Sequence, residues 1–173
     1  MNLKKLLLVI FIISFSNISL NAEAPHYLDF KKILNESDAG KKAQNFLKKK
    51  LEDGIDNIRK KEKSIQDEEK KIIQQKKIIS SDEYKKKVSK LRDKVSNLQK
   101  ERSSLLETIA KQRAKAKKEI LDNLNPIVKN FMNEKRIRMV MDKKNILLAD
   151  EKLDITNDIM GLLNQKLKSI NLN

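Results

Sequence analysis

Residues 47–79, LKKKLEDGIDNIRKKEKSIQDEEKKIIQQKKII, decide the fold. Within them Leu51, Ile58, Ile65, Ile72 and Ile79 recur every seven positions without a miss. Such a repeat marks a helix that lays one stripe against a partner helix. The companion column fails: Leu47 and Ile55 are followed by Glu62, Glu69 and Lys76. A coiled coil normally offers two apolar residues per heptad. Each missing one forgoes roughly 1.5–3 kcal/mol of burial. The stripe is thin, and the arm it builds is expected to open and fray toward its far end.

Working outward, the spacing predicts a helix over 39–79 with Ser37 as its N-cap. Ser80-Ser81-Asp82-Glu83 reads as a break followed by a capping box, with the Ser80 hydroxyl serving the third amide and Glu83 reaching back. The second helix carries a fuller seam of Tyr84, Val88, Leu91, Val95 and Leu98, then Arg102 as an interruption, then Leu105, Ile109 and Ala116. Two heptad-patterned helices with a short break between them make an antiparallel hairpin. At 1.5 Å per residue, about 40 residues reach roughly 60 Å. Gly54 carries a local helix cost of about 1 kcal/mol relative to alanine. It reads as a tolerated glycine more readily than as a hinge.

Pro126 is expected to kink or restart the second helix, because proline lacks the amide donor and its ring meets the preceding turn. Ile137–Asp142 alternates like a strand, Lys143-Lys144-Asn145 reads as a turn, and Ile146–Ala149 as a second strand. His26–Phe30 is a weak third strand. The chain then closes with an amphipathic helix, Thr156 as N-cap and Ile159, Met160, Leu162, Leu163 and Leu167 on its apolar side. A body this small buries little alone, so oligomerisation is expected to complete it.

The first residues set the compartment. Lys4 and Lys5 precede an apolar core from Leu6 to Phe15, and small and polar residues follow to Ala22 and Ala24. That is the layout of a secretory signal peptide, and the core is about half the length of a membrane-spanning helix. Pro25 is a poor residue to follow a cut, so cleavage is expected after Ala22. The expected organisation is a leader at 1–22, a small α+β body and trimerisation region from 23–38 and 126–173, and a helical hairpin arm at 39–125.

The whole chain carries 39 basic and 24 acidic residues, a net +15. Lys41–Lys118 alone holds 26 basic and 12 acidic residues, so the excess sits on the arm. Charge confined to one element reads as a surface for acidic partners, against the plainer reading of a solvated face. There is no cysteine, and the single histidine, His26, reads as an ordinary strand residue. With no glycine-rich phosphate loop, metal-spaced cluster or nucleophile elbow, no enzyme, cofactor or metal site is expected.

Two stretches resemble a known family. Asp29–Gln44 (DFKKILNESDAGKKAQ) and Met141–Asp158 (MDKKNILLADEKLDITND), with Pro126-Ile127 between them, are similar to the Skp/OmpH family of periplasmic chaperones. The resemblance implies a homotrimer whose β-body projects three helical hairpins around a cavity. That cavity would hold unfolded outer-membrane β-barrel proteins without ATP. Pro25 and His26 depart from the family's apolar first strand, which should make that strand shorter or place it at an edge.

Near the arm tip, Ile72, Ile73, Ile78, Ile79 and Tyr84 are candidate client contacts, ringed by Lys76, Lys77, Lys85, Lys86 and Lys87. The plainer reading is that the apolar residues seal the tip and the lysines keep it dissolved. Anionic lipid or lipopolysaccharide is a further possible contact of the arm. Two rival classes use the same features: a basic structural coiled coil of the cell envelope, and a nucleic-acid-binding coiled coil. Export argues against the second, so no physiological nucleic acid is expected.

Overall fold

The computed structural model describes residues 24–172; the leader expected at 1–22 lies outside them. In chain order the elements are β1 (His26–Leu28), α1 (Phe30–Glu36), α2 (Asp38–Gln75), α3 (Ser81–Lys135), β2 (Val140–Asp142) and α4 (Thr156–Lys166). Short 3-10 turns at Lys143–Asn145 and Glu151–Leu153 lie between β2 and α4. The fold is mainly helical with a small β-body, and α2 and α3 form the long antiparallel hairpin that the heptads require.

Local chemistry explains where the helices begin. Ser37 accepts the Gly40 amide at 3.2 Å and starts α2; Ser80 accepts the Glu83 amide at 3.2 Å and starts α3. The chain turns at Ser37 with almost no space to spare. A Cβ on Gly40 would stand 2.3 Å from the Leu34 carbonyl oxygen, so only glycine lets α2 start this close to α1. α2 stops at Gln75, four residues short of the expected end, and Lys76–Ser80 make the turn. α3 runs unbroken through Pro126 to Lys135, so the expected restart does not occur. It ends instead at Arg136, in the left-handed region (φ 57°), where the Ile137 amide reaches back to the Met132 carbonyl at 2.9 Å.

The body differs from a β-hairpin. β1 pairs in parallel with β2, His26 opposite Val140 and Leu28 opposite Asp142. On its other side Tyr27 bridges Asp154, with the Ile155 amide donating to the Tyr27 carbonyl at 3.0 Å. So β1 is short, as Pro25 requires, yet it has neighbours on both sides and is not an edge. Ile146–Ala149 forms no strand, and Leu147 and Leu148 are 95% and 90% exposed. The 3-10 turn at Lys143–Asn145 carries this segment away from β2, leaving its strand-like pattern without a partner within the chain.

Around this ribbon Leu28, Ile33, Ile120, Leu124, Ile127, Phe131, Ile137, Ile155, Ile159 and Leu163 make one buried cluster. It draws on α3 from Ile120 onward, ahead of Pro126, so one continuous helix joins arm to body.

Thr156 begins α4 without being its N-cap. Its hydroxyl donates to Asp154 Oδ1 and accepts the Asp29 amide at 2.9 Å, while its own amide donates to the same Asp154 oxygen at 2.9 Å. The N-cap is Ile155, which brings no side-chain cap, and Asp154 just before it takes up the first amide of the helix. Lys143 Nζ lies 3.2 Å from the other Asp154 oxygen and 5.6 Å from the Tyr27 ring centroid. Burial pushes the Asp154 carboxyl up, but the two Thr156 hydrogen bonds and the Lys143 ammonium outweigh it, so the net shift is downward.

A carboxylate with a depressed folded value stabilises the native state above its unfolded value of about 3.9. That contribution is lost as pH falls through the lower folded value. Asp154→Asn should lower Tm at neutral pH and flatten the fall of Tm on acidification below about pH 4. Thermal melts of the two proteins across that range provide the check.

Candidate functional site

Among the described residues the arm is the large surface outside the body, and its seam can be followed residue by residue. On α2, Leu47, Ile58 and Ile72 are buried and Leu51, Ile55 and Ile65 are half-buried, as is Ile79 in the turn beyond it. On α3, Ala116, Ile109 and Leu98 are buried, but from Tyr84 to Asn97 no residue is. On α3 the packing therefore thins toward the tip, while on α2 Ile72 stays buried.

Arg102, the interruption on α3, faces Glu62, the first of the interruptions opposite. Arg102 Nη2 donates to Glu62 Oε1, and Lys61 Nζ lies 2.6 Å from Glu101 one position along. Lys94 pairs with Glu68 nearer the tip. The Arg102–Glu62 pair thus stands where apolar knobs would, and the other two pairs flank the seam. These side chains are about half exposed, and such pairs contribute about 0–1 kcal/mol each. Charge sets the register here without sealing the seam.

Gly54 has a role that composition does not reveal. A Cβ there would lie 2.6 Å from Leu105 Cδ2, so the missing side chain is the socket that receives Leu105. It is a packing glycine, neither a hinge nor merely tolerated.

At the tip the expected contact residues separate. Ile72 is 5% exposed and closes the hairpin, so it leaves the exposed set; Ile79 and Tyr84 are half-buried. Ile73 and Ile78 stand in solvent at 59% and 83% exposure, Ile78 because it lies on the turn after α2 has ended. Lys76, Lys77, Lys85 and Lys86 are exposed around them. Lys76 Nζ sits 5.8 Å from the Tyr84 ring centroid, and Lys87 is engaged by Gln75 Oε1 at 2.7 Å. Residues 71–90 hold seven lysines against Asp82 and Glu83. The tip is a cationic knob with two bare isoleucines.

A second exposed apolar set lies at the body: Met139 (58%), Leu147 and Leu148. Sequence reading assigned Leu147 and Leu148 to a strand. It also gave no role to Ile170 and Leu172, which pack at the base of the arm. Among the described residues, no cluster of His, Asp and Glu could hold a metal ion, and no helix is long and apolar enough to cross a membrane.

A family model, outer membrane protein (OmpH-like), matches residues 26–163. The chain belongs to the OmpH-like family. An uncharacterized protein of Aquifex aeolicus (strain VF5) is 29% identical over 146 residues, covering 80% of this chain and 84% of that one. The crystal structure of a candidate outer membrane chaperone (OmpH-like) from Caulobacter crescentus CB15 matches with a TM-score of 0.78 at 17% identity. The match covers 86% of this chain and 89% of that one, and at that identity it shows a shared fold. The family assignment agrees with the resemblance carried by Asp29–Gln44 and Met141–Asp158.

Replacing both seam charges by leucine tests whether the seam is under-packed. Glu62→Leu with Arg102→Leu should raise unfolding stability by about 1–3 kcal/mol, since a weak half-exposed pair gives way to apolar contact. Denaturant melts of the double variant against the parent read this directly.

Proposed function

We propose that this OmpH-like chain is an ATP-independent holdase of the periplasm. It binds unfolded outer-membrane β-barrel proteins and keeps them from aggregating. The observation that carries the reading is the arm tip, where Ile73 and Ile78 stand exposed inside a ring of lysines on a seam too thin to be rigid. Exposed apolar groups touch a client weakly, while the positive field draws acidic chains in. Family membership and the description of the Caulobacter relative support the same reading. The leader-like pattern of residues 1–22 supports export to that compartment.

The working unit in this proposal is a homotrimer. Met139, Leu147 and Leu148 give each body an apolar surface, and Ile146–Ala149 has the pattern of a strand without a partner in its own chain. A second copy that pairs with this segment would cover both. Three arms then act together, and many weak contacts combine through high effective concentration. Anionic lipid or lipopolysaccharide is a further contact open to the cationic arm. No cofactor and no catalytic step enter the mechanism.

Aggregation of an unfolded β-barrel protein, followed by turbidity with and without the chaperone, tests the function. Suppression should weaken as salt rises. Lys85→Glu, Lys86→Glu and Lys87→Glu together should slow capture roughly tenfold or more through lost steering. Capture indifferent to both salt and charge reversal would remove electrostatics from the mechanism. A failure to suppress aggregation at any salt would remove the holdase reading itself.

A further inference from the structure

After α4 the chain does not leave the body. Leu167 adopts extended backbone (φ −125°, ψ 101°), and the following residues run back over the base of the arm to Leu172. Leu172 is 4% exposed among Ala43 and Leu47 of α2 and Ile109 and Ala116 of α3, with Leu51 and Leu105 packed against the same cluster. Ala43 and Ala116 are small seam positions. Two facing alanines leave a gap between helices that a leucine from a third segment fills.

The polar contacts agree with this seating. Gln112 Nε2 donates to the Leu172 carbonyl, and Lys115 Nζ donates to the Asn171 carbonyl at 2.7 Å. Lys168 Nζ lies 3.3 Å from Asp38 Oδ2 at the start of α2. At its other end the segment is tied to the body, where Leu167 and Ile170 pack against the main core. One short stretch therefore touches the body and both helices of the hairpin. The family match ends at Leu163, so this stretch lies beyond it.

We propose that Leu167–Leu172 is a clasp that locks the base of the arm to the body, so that arm motion begins beyond Leu51 and Leu105. The thin seam cannot hold two helices in one arrangement along its whole length. A third element wedged across it at the base resists both splaying of the helices and swivelling of the pair. The clasp sets where the arm bends, whatever the arm holds.

Hydrogen exchange on the full chain tests this. In Leu172→Ala, amides of residues 41–51 and 105–117 should exchange roughly tenfold faster or more, while those of α4 and of the tip keep their rates. Leu172→Met should restore protection, because methionine fills a similar volume. Unchanged protection at the arm base in Leu172→Ala overturns the clasp. So does an equal loss across α4 and the arm, which would mark general destabilisation.

Discussion

The seam between α2 and α3 is the constraint from which the rest of this molecule follows. It offers one full apolar column on α2, a partly buried one on α3, one ion pair at seam positions and two more beside it. Exposed ion pairs add little, and α2 offers about one apolar residue per heptad where an ordinary coiled coil offers two. The hairpin is consequently held in register by few apolar contacts for its length. Stiffness is supplied at one end only, where Leu172, Ala43, Leu47, Ile109 and Ala116 pack together and α3 continues into the core of the body.

The body answers a different constraint. A parallel ribbon of two three-residue strands is marginal alone, and here it is held by α1, α4 and the end of α3 around Leu28, Leu124 and Ile159. The hydrogen bonds of Asp154, Thr156 and Asp29 tie the strand entering the fold to the helix that closes it. The arm's two ends are thereby fixed to one platform, and the free end carries the lysines and bare isoleucines. The arm thus grades from a base packed against the body to a tip with few buried apolar contacts on α3.

Much of this was legible in the sequence because helical heptads report their own faces. The column from Leu51 to Ile79, the Ser37 and Ser80 caps and the hairpin all follow from periodicity and local hydrogen bonding. What was not legible depended on contacts distant in the chain. Ile146–Ala149 alternates like a strand but finds no edge within its own chain, since the turn at Lys143–Asn145 leads it away. Pro126 lies inside a helix whose surroundings in the core override the proline's local preference. Gly54 and Leu172 acquire their roles from Leu105 and the alanines opposite, which no local pattern announces. At the tip, residue type marked the right neighbourhood: Ile73 is exposed because it lies one position off the heptad column of buried Ile72, while Ile78 is exposed because of the turn after α2, which the heptads did not announce.

Limited trypsin digestion of the native protein tests the gradient most directly, because lysine and arginine occur along the whole arm and sample every height. The first cuts should fall between Lys76 and Lys87, with Lys41, Lys42, Lys115 and Lys117 at the base cut last. Early cleavage at the base, or cutting at equal rates along the arm, would contradict the account.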